Sequence, residues 1–283
     1  VTDRCNMRCR YCMPESGVPV LRHEAVLSYE EILRIAGVAT AMGLRKIRIT
    51  GGEPLVRQGI MEFMRRLVKL PDLHELTLTT NGVLLEQFAE ELYSLGVRRI
   101  NVSLDTLQRT KFKYITRRDF LPEVIKGVTK AVEVGFSPVK INVVAMRGFN
   151  DDEILDFARI TENMPYHVRF IEYMPIGESN CWSPEQSITS EEIRGIIQRY
   201  RILEPAARSN HDGPAVLYAF PGAAGKVGFI SPLSNCFCSS CNRLRLTADG
   251  KLRGCLFSDT EIDIRTAVRE GATDEHIAKM LTQ

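Results

Sequence analysis

Lys46-Ile47-Arg48-Ile49-Thr50, followed at once by Gly51-Gly52-Glu53-Pro54, is the stretch that decides the fold. Its first five residues alternate strictly, Ile47 and Ile49 on one side and Lys46, Arg48 and Thr50 on the other, which is the period-two pattern of a strand. Upstream, Ser28-Tyr29-Glu30-Glu31 is a capping box, with serine at the N-cap and glutamate three residues on. It predicts a helix running to about Met42, where Gly43 stops it. Downstream, a helix over 59–70 ends at Pro71, and the unit then recurs. Strands are predicted over 75–80, 99–104, 139–146 and 167–174, and helices over 85–94, 122–134 and 151–163, with a short helical piece near Lys111. Strands alternating with helices imply a parallel sheet with right-handed crossovers. About five strands are visible and a sixth is expected upstream of Cys5 in the untrimmed protein, so the fold class is α/β, a partial (β/α)6 TIM-like barrel rather than the full eight-fold one.

The two faces of these strands differ. Ile47 and Ile49, Leu76 and Leu78, Ile100 and Val102, and Ile141 and Val143 should pack beneath the helices. The opposite faces carry Lys46, Arg48 and Thr50, then Thr77 and Thr79, Asn101, Ser103 and Asp105, and Lys140 and Asn142. A closed barrel fills this face with branched aliphatics. A polar, partly cationic face needs partners, because unpaired buried charge is expensive. Anionic ligands would supply them; a hydrated interior salt network is the plainer alternative. Gly51-Gly52 sits where ligands bind, at a strand's carboxyl end, and two glycines let a backbone approach without a Cβ in the way.

From about Pro175 proline and glycine thicken and the pattern changes, so residues 1–175 are expected to form the barrel and 176–283 a C-terminal cysteine-bearing cap. The cap is predicted to hold a helix over 190–200, short strands over 216–220 and 227–230, a hairpin of 244–247 with 251–253 around Asp249-Gly250, and a helical end over 262–283.

Cysteine placement carries the chemistry. Cys5, Cys9 and Cys12 form a C-x3-C-x2-C cluster with Tyr11 beside the last thiol. Electron-transfer clusters take four cysteines, so three leave one iron open to a non-protein ligand. A structural zinc wants four ligands, and His23, the nearest histidine, sits at no standard spacing. Cys238-Ser-Ser-Cys241 with Cys255 forms a second group, and Arg243 and Arg245 lie between its members. Here a zinc ribbon competes with a three-cysteine cluster, because Cys236 could be a fourth ligand. Cys181 is read as a small hydrophobe.

The chain has 283 residues, 44% hydrophobic, a net charge of +2 and eight cysteines. That length supports a sizeable core. The charge is too mild to imply nucleic acid or an acidic membrane surface, and no apolar run is long enough to span a bilayer. Cysteines gathered near the two ends point to metal chemistry in a reducing compartment. The sequence opens without methionine or a signal peptide, four residues before Cys5, so N-terminal trimming is expected.

Taken together, these motifs resemble the MoaA family, the GTP 3′,8-cyclases of molybdenum-cofactor biosynthesis within the radical S-adenosylmethionine (SAM) superfamily. Cys5-x3-Cys9-x-Tyr11-Cys12 and Gly51-Gly52-Glu53-Pro54 carry the superfamily likeness. Thr79-Thr80-Asn81-Gly82, Asn101-Val102-Ser103-Leu104-Asp105, Cys238-x2-Cys241-Asn-Arg243-Leu-Arg245 and Gly254-Cys255-Leu256-Phe257 narrow it. The resemblance implies a barrel of radical SAM type with two [4Fe–4S] clusters as cofactors. The first, on Cys5, Cys9 and Cys12, would chelate SAM, with Tyr11, Gly52, Ser103 and Met174 matching SAM positions. The second, on Cys238, Cys241 and Cys255, would bind guanine at its open iron. Arg48, Thr79, Lys140, Arg243, Leu244 and Arg245 match nucleotide positions, and Lys46 and Arg169 are expected as further triphosphate contacts. A 5′-deoxyadenosyl radical would take the hydrogen at ribose C3′ of GTP, and C3′ would then attack guanine C8; no residue is nominated as a general base. The resemblance also implies a reducing donor of flavodoxin or ferredoxin type, a cyclic pyranopterin monophosphate synthase downstream, and a homodimer. Its compartment would be the cytoplasm in a bacterium or the mitochondrial matrix in a eukaryote. The family's upstream GTP-contacting arginine and its C-terminal Gly-Gly tail fall outside the sequence, so turnover by this chain is left open. Another radical SAM enzyme with an auxiliary cluster, of peptide maturase type, and a non-catalytic iron–sulfur or zinc protein are the alternatives.

Overall fold

A computed structural model describes residues 1–283 except Val20, 176–181, 208–212 and 258–259, and the side chain of Ser240; Cys181 therefore lies outside the described residues. In chain order come α1 (Tyr29–Ala41), β1 (Lys46–Ile49), α2 (Ile60–Leu67), β2 (Glu75–Thr80), α3 (Leu85–Ser94), β3 (Arg99–Ser103), α4 (Arg109–Thr116) and α5 (Leu121–Val134). Then follow β4 (Val139–Ala145), α6 (Ile154–Asn163), β5 (Tyr166–Glu172), α7 (Ser190–Tyr200), β6 (Glu204–Pro205), β7 (Val216–Ala219) and β8 (Lys226–Ile230). The chain closes with β9 (Arg245–Leu246), β10 (Lys251–Arg253), β11 (Ile262–Asp263), α8 (Ile264–Arg269) and α9 (Asp274–Leu281).

The main sheet has the order β1-β2-β3-β4-β5-β8-β7-β6. β1 to β5 pair in parallel, and β8 joins β5 in parallel, with Ile171 opposite Ile230. Six parallel strands thus form the partial barrel, and β7 and β6 continue it antiparallel. Within the described residues the sixth parallel strand is β8, drawn from the segment read as cap. The helical end over 262–283 is corrected, since it opens with β11 and splits into α8 and α9, whose N-caps are Asp263 and Thr273.

The face parity holds. Ile49, Leu76, Leu78, Ile100, Val102, Ile141 and Val143 are all buried in one continuous hydrophobic cluster with residues of α2, α3, α5 and α6. α1 starts as its capping box dictates: Ser28 Oγ accepts from Glu31 N at 3.1 Å while Glu31 Oε2 accepts from Ser28 N at 2.7 Å. α7 has the same device on Thr189 and Glu192.

The small sheet of β9, β10 and β11, with α8 and α9, is fastened to α1 and the segment before it. Leu27 N donates to Ala248 O at 2.9 Å, Arg269 Nε to Glu31 at 2.6 Å, and Arg34 Nε to Asp274 at 3.0 Å. α1 precedes β1, the first edge of the sheet, so the C-terminal segment returns to the barrel's start.

Replacing Leu78, which is fully buried, by alanine should cost about 3 kcal/mol through lost transfer energy and a residual cavity. Ser28→Ala should cost only about 1 kcal/mol, the worth of an N-cap. Anaerobic urea unfolding measures both, and equal losses would contradict this division of the core from the cap.

Candidate active site

The first cysteine loop is held from three sides at the carboxyl end of the strands. Its leading segment, Thr2–Arg4, lies against the turn after β1: Gly52 N donates to Thr2 O at 2.7 Å and Glu53 N to Arg4 O at 2.8 Å. A Cβ on Gly52 would sit 2.2 Å from Arg4 O, and one on Gly51 would sit 2.5 Å from Thr2 O. The neighbour that forbids side chains here is therefore the chain's own backbone, where the sequence suggested a ligand. On the far side, Arg8 N donates to Thr116 O at 3.0 Å and Arg10 N to Ile115 O at 2.8 Å, at the end of α4. Arg117, in the left-handed region at φ 54°, sends Nη1 to Arg8 O and Met13 O at 2.8 and 3.1 Å.

Glu53 forms the third hold. It is 1% exposed, and its carboxylate accepts from Leu55 N at 3.1 Å, Thr80 Oγ1 at 2.8 Å and Asn81 N at 2.6 Å. Burial pushes its pKa above the usual carboxylate range, against the pull of those three donors. Asn81 passes the connection on, its Nδ2 lying 2.7 Å from Asn6 Oδ1 and 3.8 Å from Cys5 Sγ.

Cys5 and Cys9 are half-buried and Cys12 is exposed. Burial raises both Cys5 and Cys9; the negative charges of Asp105, Cys12 and Cys5 push Cys9 further. Arg8 is the one cation that opposes this at Cys5, and it is outweighed by burial; soft thiols raised in this way suit a cationic iron site, which would hold them as thiolates. Tyr11 OH donates to Asp105 Oδ2 at 2.7 Å, and Asp105 Oδ1 accepts from Val144 N at 2.9 Å. Burial lifts Asp105 to about 6 while these two bonds oppose it. Asp105 is thus an anchor for the loop's tyrosine, beyond the end of β3, where the alternation placed it on the polar strand face. A cavity of about 530 Å³ opens beside Cys5, lined also by Asp3, Arg4, Asn6, Arg8 and Met13, within the size range of small-molecule sites.

The polar strand faces meet in register: Arg48 with Thr77, Thr79 with Asn101, Asn101 with Lys140, and Asn142 with Arg169. Asn101, Lys140 and Arg169 are all buried. Asn101 Nδ2 donates to Leu78 O at 3.0 Å and Thr79 Oγ1 at 3.3 Å, and its Oδ1 accepts from Arg169. Gly228 on β8 makes room for Arg169, whose Cγ would lie 3.0 Å from an added Cβ. Toward the amino ends a salt network is present: Glu75 holds Lys46 at 2.9 Å and Arg99 at 3.3 Å. Ser103 and Met174, at the end of β3 and just past β5, are half-buried.

In the second group Cys238, Cys241 and Cys255 are exposed, as is Cys236. Cys236 stands closest in effect to Cys238, whose thiol it raises, followed by burial and then Cys255 and Cys241. Arg243 Nε lies 3.3 Å from Cys241 Sγ and draws that thiol below its usual range. Arg245 is lowered by burial and then by the charge of Arg243. Arg48 of β1 is lowered likewise, by desolvation and then by Arg243. Leu244 between the two arginines is 42% exposed. Among the described residues no three His, Cys, Asp or Glu side chains converge as a single metal ion requires. Three soft thiols per loop fit an iron–sulfur cluster as a donor set.

Arg117 is a site-building residue that the sequence did not disclose, and Glu53 and Asp105, though they stood within quoted motifs, gave no sign of their partners, because a charged residue carries no mark of its tertiary contacts. Only the capping-like spacing of Glu53 to Leu55 is local.

The model of the radical SAM superfamily matches residues 1–160, and that of Molybdenum Cofactor Synthesis C matches 166–283. A GTP 3′,8-cyclase of Moorella thermoacetica is 50% identical over 283 residues, covering 100% of this chain and 87% of that relative. One of Syntrophomonas wolfei is 48% identical over 280 residues, covering 99% and 86%. Among solved structures, Streptococcus suis SuiB bound to S-adenosylmethionine superposes with a TM-score of 0.66 at 14% identity, over 99% of this chain and 66% of that one. A radical SAM methyltransferase from Sphaerobacter thermophilus gives 0.54 at 20% identity, over 89% and 68%. These two likenesses speak to the fold.

Gly52→Ala should displace Thr2–Arg4 and cut iron bound at the first loop by more than half, read by anaerobic iron analysis; a chain that fills normally would show that the close approach is dispensable. Burial lifts Asp105 from an ordinary 3.8 to about 6 in the folded chain, so its burial removes stability as pH rises through that window. Asp105→Asn should flatten this limb of the stability–pH curve of the cluster-free protein, and an unaltered curve would refute the assignment.

Proposed function

Because the chain belongs to the GTP 3′,8-cyclase family of the radical SAM superfamily, we propose that its two thiol loops and the polar sheet face between them form one site for SAM and GTP. The enzyme is a radical SAM lyase acting on GTP at the first step of molybdenum-cofactor biosynthesis, with SAM and [4Fe–4S] clusters as cofactors. Cys5, Cys9 and Cys12 hold the first cluster and Cys238, Cys241 and Cys255 the second, with Cys236 left out of the ligand set. Cys5, Cys9 and Cys12 would hold a cluster whose chemistry is one-electron reduction of SAM, the source of the radical directed at ribose C3′. Tyr11, Gly52, Ser103 and Met174 hold SAM over that loop. Lys46, Arg48, Lys140, Arg169, Arg243 and Arg245 take the triphosphate and purine edges, with Thr79 and Leu244 beside them. Their task is to bind, orient and exclude water.

The observation that carries this reading is the gathering of Arg48 and Arg245 around Arg243: both are lowered, first by burial and then by the Arg243 charge. Guanidinium groups from opposite ends of the sequence repel one another across the mouth, and a polyanion placed among them turns that repulsion into binding. On the same reading we propose a flavodoxin- or ferredoxin-type electron donor, a cyclic pyranopterin monophosphate synthase as consumer of the product, and a homodimer. We also propose residues 1–175 as the radical-generating part and 176–283 as the substrate-bearing part, in bacterial cytoplasm or mitochondrial matrix.

Anaerobic reconstitution should give about eight irons per chain, two four-iron cubes; four irons with one zinc would refute the second assignment. Cys9→Ala should abolish SAM cleavage. Arg243→Ala should weaken GTP binding by about tenfold or more, the scale of a lost charge-assisted hydrogen bond, with SAM binding intact; unchanged GTP affinity would sink its role.

A further inference from the structure

Glu172 is the last residue of β5 and 1% exposed. Its two oxygens accept four hydrogen bonds from two separate segments. Oε1 takes Ser190 N, at the start of α7, at 2.9 Å, and also the Ser234 hydroxyl. Oε2 takes Leu233 N at 3.1 Å and Ser234 N at 3.0 Å. Ser231 Oγ adds a bond to Ser190 Oγ at 2.7 Å. Ser231 follows β8 directly, and the chain from there leads to Cys236, Cys238 and Cys241.

We propose that Glu172 is the positioning residue of the second cysteine loop, the carboxylate that fixes where Cys238 and Cys241 stand relative to the barrel. It touches no reacting group. After Ser234 the loop is short of regular structure: a single turn, Cys238–Ser240, precedes β9. Its place is therefore set by its two ends, β9 on one side and Glu172 on the other. A carboxylate offers acceptors only, and every partner here is a donor. Glutamine at this position would turn one end of the side chain into a donor facing donors, leaving buried groups unpaired. The burden falls on residues 231–234, while the first loop, held by Glu53, Thr116 and Arg117, is independent of it.

The proposal rests on the reading that Cys238, Cys241 and Cys255 carry a cluster, and the experiment separates the two. In Glu172→Gln, iron after reconstitution should fall from about eight to about four per chain, and GTP binding should weaken at least tenfold. SAM cleavage without GTP should stay within twofold of the parent. In the cluster-free protein, amide exchange over 231–241 should quicken by about tenfold or more while 5–13 is unchanged. Retention of eight irons with unaltered exchange at 231–241 overturns the proposal, and so does equal loosening of both loops, which is what general destabilisation would give. Should Glu172→Gln fail to accumulate, Ser234→Ala carries the test: faster exchange confined to 231–241 supports the anchor, and unchanged or uniformly raised exchange overturns it. Cys238→Ala tests the underlying reading by itself; iron staying at eight there would refute the cluster, while exchange in Glu172→Gln would still judge the anchor.

Discussion

The carboxylate of Glu53 is the constraint on which the first thiol loop depends. An ionised carboxyl taken out of water loses several kcal/mol unless its lone pairs are met. Here they are met by Leu55 N beyond the end of β1, by Thr80 Oγ1 at the last residue of β2 and by Asn81 N just past it. The ends of β1 and β2 are thereby locked together, and Asn81 extends the lock to Asn6 and Cys5. The same device recurs along the rim. Glu153, after β4, accepts from Thr106 Oγ1 and Leu107 N, both at 2.7 Å, beyond β3. Glu172, closing β5, gathers α7 and the segment after β8. Irregular loops can stand at defined positions because buried acceptors collect their backbone donors.

This rim separates two requirements that a barrel face cannot meet together. The outer face of each strand is aliphatic and supplies the burial that keeps the chain folded. The inner face is then free to be polar. It carries Lys46, Arg48, Arg99, Lys140 and Arg169, and Glu75 answers Lys46 and Arg99 at one end. The excess of positive charge toward the carboxyl end is continued by Arg243 and Arg245 from the C-terminal segment. The charge that makes the lumen costly is of the kind an anionic ligand would neutralise.

Much of this was legible in the sequence, for reasons that can be located. Period-two alternation at Lys46–Thr50 and its successors fixed the strands and the face each residue takes, and Ser28 announced its helix through local capping. Cysteine spacing gave both thiol groups. What escaped is non-local. A five-residue strand such as β8 looks the same whether it pairs in parallel or antiparallel, so nothing in Lys226–Ile230 reveals that it docks beside β5. The glycines after β1 signal close approach without naming the neighbour, which proves to be Thr2–Arg4. Glu172 and Arg117 stand in no motif, and Glu53 stands in one without showing what it binds, until their partners, distant in sequence, are brought to them.

The position of β8 also explains how the two thiol loops can serve one site. β1 and β8 bound the parallel run, so the loop that meets the end of β1 and the loop that follows β8 start from opposite sides of the lumen. An open barrel leaves a seam between those sides. The C-terminal segment crosses back to α1 through Leu27 with Ala248, Glu31 with Arg269, and Arg34 with Asp274. Arg243 and Arg245 lie on the stretch between the second thiol loop and that fastening, which is why Arg243 comes within electrostatic reach of Arg48 on β1. The segment that closes the seam is therefore the one that carries Arg243 and Arg245 to the side of the lumen where Arg48 stands.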